Sequence, residues 1–238
     1  MAPLLELRSV SKAFGQVVVA DDLSYSLEAG EVLGVVGPNG AGKTSMLNLI
    51  SGNLRPDAGQ ILLDGEDITS MPAHARARAG IGRTFQIPRP FSGMTVLENV
   101  LVGARGTRGE RVDSAVESLA TTGLLRRANS MAGSLPLLDR KRLDLARALT
   151  MRPRLLMLDE IAGGLTEAET IVLIDTIRAL KARGISIIWI EHLVQALVST
   201  VDRLIASNYG RKVLEGDPHT VMADPEVQTV YLGRSVAP

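Results

Sequence analysis

The chain has 238 residues, 26 basic against 26 acidic side chains, and no cysteine. That length suits one α/β domain or two small ones. The charge balance argues against a general nucleic-acid patch or a polybasic membrane anchor, and the missing cysteine excludes disulfide, zinc-thiolate and thiol chemistry. Leu4 to Arg8 and Gln16 to Val19 read as strands separated by Phe14-Gly15, and Asp21 to Leu27 continues the alternation to a turn at Ala29-Gly30. Phe14 has two readings: a core side chain, which residue statistics favour, or an aromatic ring that stacks on a base.

Val32 to Val36 is a short apolar run of the buried-strand type. Gly37-Pro38-Asn39-Gly40-Ala41-Gly42-Lys43-Thr44 follows and satisfies G-x-x-x-x-G-K-[ST]. Ser45 to Ile50 then opens a helix with an apolar face. A strand, a glycine loop and a helix N-terminus make an anion site, because backbone N–H groups converge and the helix dipole adds about half a positive charge. The spacing predicts that this loop and Ser45 bind ATP, with Lys43 reaching the β- and γ-phosphates and the Thr44 hydroxyl ligating Mg²⁺.

Ser51 to Gly59 is a cluster of turn residues, Gln60 to Gly65 a strand and turn, and Ala73 to Ala79 a short basic helix. Ile81 to Phe85 is a further strand candidate, ended by Gln86 and by Pro88 and Pro90. From Thr95 to about Leu149 the pattern turns helical. Val96, Asn99, Val100 and Gly103 share a face; further helices are expected over Val112 to Leu125, broken near Gly123, and over Lys141 to Leu149. The chain therefore divides into a nucleotide-binding α/β core, residues 1–86 and 151–238, and a helical insertion, residues 87–150. The core sheet is expected to be mostly parallel.

Leu155 to Leu158 is a continuous apolar run that ends in Asp159-Glu160. A buried parallel strand delivers such carboxylates at its carboxyl end, where open α/β sheets bind ligands. Asp159 is expected to hold Mg²⁺ and Glu160 to orient or deprotonate a water beside the γ-phosphate. Thr166 to Glu169 fits a capping box for a helix running to about Arg183, with Ile171, Ile174, Ile177 and Leu180 near helical spacing. Ile185 to Ile190 is another buried strand, closed by Glu191-His192. The order places His192 as a γ-phosphate contact. Arg203 to Ser207 and Lys212 to Glu215 read as a hairpin, and His219 to Leu232 as short helices.

In this order the motifs resemble one family, the ATP-binding subunits of ABC transporters, from about Leu4 to Gly233. The resemblance implies that Phe14 stacks on adenine and that Gly37 to Thr44 is Walker A. Gln86 matches the Q-loop glutamine that links Mg²⁺ to the helical part. Asp159 and Glu160 match Walker B and its catalytic glutamate, Gly164-Leu165-Thr166 the D-loop, and His192 the switch histidine. Within the family the chain is most similar to branched-chain amino acid importer subunits, through Arg83-Thr84-Phe85-Gln86, Met94 to Asn99, Ala162 to Leu165, Ile190-Glu191-His192, and the ending Asp224 to Gly233. Urea and amide importers and the lipopolysaccharide-exporting ATPase share parts of this.

One stretch departs from the family. Where its signature reads Leu-Ser-Gly-Gly-Gln, or Leu-x-Tyr-Gly-Gln in this branch, this chain has Leu135-Pro136-Leu137-Leu138-Asp139. Leu138 puts bulk where backbone must approach phosphate, Pro136 removes an N–H donor, and Asp139 is expected to bring negative charge toward a triphosphate. Ile161 also stands where proline is usual. The resemblance implies head-to-tail pairing with a second ATPase subunit, two transmembrane permease subunits and, indirectly, a substrate-binding protein. It implies no nucleic-acid partner, and a peripheral position on the cytoplasmic face of the membrane. Since each ATP would lie between one chain's Walker motifs and the other's signature, the altered signature favours a heterodimer with one dominant hydrolytic site. The alternatives are a nucleotide-binding regulatory subunit with little turnover, or the ATPase of another ABC system.

Overall fold

The structure, a computed structural model, describes residues 2–232; Gly233 of the C-terminal resemblance lies outside them. The chain begins with strands β1 (Leu5–Phe14), β2 (Val17–Leu27) and β3 (Val32–Val36), then helix α1 (Lys43–Ser51). Next come β4 (Ala58–Leu63), β5 (Glu66–Asp67), α2 (Ala73–Arg78) and β6 (Ile81–Arg83). Three helices follow, α3 (Val96–Leu101), α4 (Arg108–Thr121) and α5 (Leu137–Leu149). The core resumes with β7 (Leu155–Asp159), α6 (Glu167–Ala182), β8 (Ser186–Ile190) and α7 (Val194–Val198). It closes with β9 (Arg203–Asn208), β10 (Arg211–Gly216), α8 (Pro218–Ala223) and α9 (Pro225–Leu232).

Among the described residues the strands form two sheets. One is antiparallel, in the order β2-β1-β4-β5, with Leu5 opposite both Leu27 and Leu63. The other has six strands in the order β10-β9-β3-β8-β7-β6, parallel except for the β9–β10 hairpin. β3, β7 and β8 are buried at every position, the pattern of parallel strands covered on both faces. Between the sheets, Leu5, Leu27, Val35 and Ile188 pack with Leu47 and Ile50 of α1. On the other face Leu158 and Trp189 meet Leu145 of α5 and Leu173 and Ile177 of α6. The helices α3 to α5 close over a core of their own, built on Val96, Val100, Leu119 and Leu143.

Register brings the functional segments together. Asp159 is opposite Ile190, and Val35 is opposite the same residue from the other side. The glycine loop, Glu160 and His192 thus leave adjacent strands at one edge. Arg76 secures α1 from below: its buried guanidinium donates to the carbonyls of Leu49 (2.7 Å) and Ile50 (3.0 Å) at the helix's C-terminal end. That burial pushes its pKa down to about 10.

Several boundaries differ from the sequence reading. α4 starts at Arg108, not Val112, because Thr107 and Glu110 form a capping box there; it ends at Thr121, before Gly123. α5 starts at Leu137, not Lys141, because Pro136, at φ −64° and ψ 166°, serves as its N-cap. β6 stops at Arg83, short of Phe85. Ile171 is on the exposed side of α6, while Leu173 takes the buried place. α7, which begins two residues after His192, is a five-residue stretch too short to carry a periodic signal.

Candidate nucleotide site

The loop between β3 and α1 is shaped by its glycines. Gly40 and Gly42 sit at φ 82° and 90°, where L side chains are strained. A Cβ on Gly37 would overlap the Ser207 carbonyl oxygen, and one on Gly42 that of Val19. The β9–β10 turn braces the loop: the Gly210 N–H and the Ser207 hydroxyl donate to the Ala41 carbonyl at 3.0 and 3.3 Å. Pro38 is half-buried and Asn39 exposed. No side chain caps α1 and its first turn carries no acid, so the N–H groups at its start, in the Lys43-Thr44-Ser45 turn, keep their anion-binding capacity. Lys43 folds back on the loop, with Nζ donating to the carbonyls of Gly37 (2.7 Å) and Pro38 (2.9 Å). Burial pushes its pKa down, against the opposing pull of Glu160 and Asp159.

The acids arrive from β7. Asp159 is buried; its Oδ1 accepts from the Thr44 hydroxyl at 3.4 Å and its Oδ2 from Arg83 at 3.1 Å. Burial pushes its pKa up, and the Arg83 guanidinium opposes that rise. Thr44 and Asp159 are hard oxygen donors of the kind Mg²⁺ takes. Among the described residues no three His, Cys, Asp or Glu side chains converge on a metal position. Glu160 follows in left-handed backbone, φ 47°, an unfavourable conformation for a side-chain-bearing residue. Its two carboxylate oxygens are separately held, Oε2 by Gln86 Nε2 at 2.6 Å and Oε1 by His192 Nε2 at 2.8 Å. Gln86 therefore reaches Glu160, and it lines one cavity together with Thr44 and Asp159.

Neighbouring groups fix this trio. Glu191, buried and with a pKa raised by that burial, accepts the N–H groups of Ala162 (2.6 Å) and His192 (3.2 Å). Tyr231 of α9 donates to the His192 carbonyl at 2.9 Å. From α5, Asp144 accepts the Phe85 N–H at 2.9 Å and Lys141 Nζ lies 3.5 Å from the Gln86 carbonyl oxygen. Both are buried, and burial raises the pKa of Asp144 and lowers that of Lys141. Phe14 is 54 % exposed, at the end of β1, with Lys12 Nζ 5.3 Å from its ring centre. The core reading of Phe14 is thus overturned.

The altered signature lies at the start of α5. Leu135 is buried, Pro136 and Leu137 are exposed and Leu138 is half-buried. Leu137 Cδ2 would lie 3.2 Å from a Cβ on Gly164, so Leu137 lies against this chain's own Gly164, in the segment expected as the D-loop. Asp139 departs from the expectation that it projects charge at a nucleotide. It is 6 % exposed and pairs with Arg127 (3.1 Å) and Arg142 (3.2 Å). Arg142 is three residues on along the same helix, whereas Arg127 comes from a short 3-10 turn (Leu125–Arg127) that reaches Asp139 only through the packing of the helical part. Arg83, Lys141 and Asp144 were also not singled out for the site. Arg83 carries the signal of a charge inside an apolar strand, which demands a partner, whereas Lys141 and Asp144 lie in the charged run Asp139 to Arg147 and carry none.

The family profile described as ABC transporter matches residues 20–163. The chain belongs to the ABC transporter ATPase family. A second profile, described as branched-chain amino acid ATP-binding cassette transporter, matches residues 211–237. The high-affinity branched-chain amino acid transport ATP-binding protein BraF of Pseudomonas aeruginosa is 34% identical, over 98% of this chain and 99% of its own. LivG of Escherichia coli, of the same description, is also 34% identical with the same coverage. The lipopolysaccharide export ATP-binding protein LptB of Acidithiobacillus ferridurans is 35% identical over 98% of each chain. Among solved structures, a nucleotide-free ATP-binding cassette from an ABC transporter is 29% identical, with a TM-score of 0.89, over 98% of this chain and all of that one. The ADP conformation of the cassette MJ1267 matches with the same identity and TM-score. The protein is an ABC transporter ATPase subunit with a nucleotide-binding fold, close to branched-chain amino acid importer ATPases. Among the described residues no helix is long and apolar enough to cross a membrane.

Proposed function

We propose that this ABC ATPase drives import of branched-chain amino acids or a related small polar solute. The observation that carries the catalytic part is Glu160, held between Gln86 and His192 one residue beyond Asp159. In this reading Phe14 stacks on adenine, and residues 37–45 cradle the phosphates. Lys43 exchanges its loop carbonyls for the β- and γ-phosphate oxygens. Thr44 and Asp159 would hold a Mg²⁺ ion, with Gln86 as a further candidate ligand, and the ion would supply neutralisation of phosphate charge. Glu160 orients the attacking water and accepts its proton, and His192 donates to the γ-phosphate as charge develops. Water adds to phosphorus in line, the bond to ADP breaks, and ADP and phosphate leave.

The domain reading follows the same lines, with residues 1–86 and 151–238 as motor core and 87–150 as the helical part that meets a membrane partner. Partners in this reading are a second ATPase subunit, two permease subunits and, through them, a substrate-binding protein, at the cytoplasmic face of the membrane. Leu135 to Asp139 lacks the glycines of the family signature, which favours a heterodimer in which the composite site made with this chain's signature is the weaker. Support for import comes from the profile match at residues 211–237. Uptake of labelled leucine by proteoliposomes carrying the assembled transporter tests it. Uptake that stops with Glu160→Gln is expected; ATP-driven lipid extraction without solute uptake would overturn it.

A further inference from the structure

Arg83 is a buried cation that none of these roles uses. Its Nη1 donates to Asn48 Oδ1 at 2.6 Å and to Ser51 Oγ at 3.3 Å, both on α1. Its Nη2 donates to Asp159 Oδ2 at 3.1 Å on β7, and its guanidinium stands 5.1 Å from the Phe85 ring centre, one residue before Gln86. One side chain thus ties the phosphate-loop helix, the acid-bearing strand and the segment leading to Gln86. The ion pair is enclosed, its side chains 7% and 3% exposed, so salt screens it weakly. It also divides the Asp159 carboxylate by function. Oδ2 is committed to Arg83, while Oδ1 faces Thr44 and is the oxygen left for a metal.

We propose that Arg83 is a positioning residue that sets how far nucleotide binding depends on Mg²⁺. It offsets the charge of Asp159 before any metal arrives and holds the carboxylate with Oδ1 toward Thr44. A metal-free polyphosphate then meets Lys43, the N-terminus of α1 and a neutralised Asp159, in place of a bare carboxylate. Removing the Arg83 charge leaves Asp159 to repel metal-free nucleotide. Nucleotide that brings its own Mg²⁺ is affected less, because the ion supplies the missing positive charge and is no longer opposed by a neighbouring cation. This rests on the nucleotide-site reading above.

The test is equilibrium binding of a fluorescent ADP to the full chain, in EDTA and in saturating Mg²⁺, for wild type, Arg83→Gln and Arg83→Lys. For Arg83→Gln the metal-free Kd is expected to rise about tenfold, while the Mg²⁺-loaded Kd stays within about threefold and the Mg²⁺ midpoint falls. Arg83→Lys keeps the charge and is expected to return the ratio of the two affinities toward wild type. That ratio, taken within one preparation, is insensitive to any fraction that fails to fold. Equal weakening in both conditions, or no change in either, overturns the proposal and leaves the nucleotide site standing. Failure of the wild-type chain to bind nucleotide at all overturns both.

Discussion

Asp139→Asn separates two accounts of the altered signature. As a free charge directed at a nucleotide, Asp139 would harm the composite site and its neutralisation would help turnover. The structure gives it another task. It is buried, occupies the third position of α5, and pairs with Arg127 and Arg142. Breaking a fully buried pair costs about 3–5 kcal/mol, but Arg127 is half exposed, and an exposed pair contributes at most about 1 kcal/mol. A carboxylate in the first turn adds about 0.3–1 kcal/mol through the helix dipole. Together these give a loss of about 2–3 kcal/mol, a Tm lowered by roughly 5–10 °C for a chain of this size. Thermal unfolding by circular dichroism reads the first effect, and ATP turnover in the assembled complex the second. Turnover within about twofold of wild type is expected, the factor corresponding to a few tenths of a kcal/mol. An unchanged Tm with several-fold faster turnover would refute the reasoning.

Gly42→Ala places a Cβ against the Val19 carbonyl in a residue at φ 90°. With about 1–2 kcal/mol of backbone strain and β2 forced off the loop at Val19, calorimetry should show nucleotide affinity reduced at least about tenfold without loss of secondary structure. Acid should also loosen the capped helices. Hydrogen bonds from Thr95, Thr107 and Thr166 hold the carboxyls of Glu98, Glu110 and Glu169 below their ordinary value of 4.5. Their contribution is present above that pH and lost as pH falls through the lower folded-state values. Burial shifts Asp144, Asp159 and Glu191 upward, so protonating these relieves a cost and acts in the opposite direction. Melting from pH 5.5 to 3.5 should therefore show a steeper acid loss in wild type than in a triple Glu→Gln variant of the capping residues; parallel profiles would count against it.

What the sequence revealed was whatever depends on local pattern. The runs at Val32, Leu155 and Ile185 are almost wholly apolar because their strands are covered on both faces, so their place in the sheet could be read directly. The glycine loop was legible because positive φ and close backbone approach leave few residue choices. Helix starts were less so: Thr107 and Pro136 set them by backbone chemistry, while the apolar spacing begins several residues later. Long-range ion pairs were not legible. Arg83 meets Asp159, and Arg127 meets Asp139, only once the helices and the sheet have packed. The core reading of Phe14 failed for the opposite reason, since the preference of aromatics for the core carries no information about a strand end left open to solvent.

The most direct measurement of the central claim is steady-state ATP hydrolysis by the purified chain, alone and in its membrane complex, with Glu160→Gln alongside. The account predicts turnover in the complex that falls at least about a hundredfold with that substitution while ATP still binds, the scale of losing a general base. Nucleotide binding without turnover in either setting, or turnover indifferent to Glu160→Gln, would contradict it.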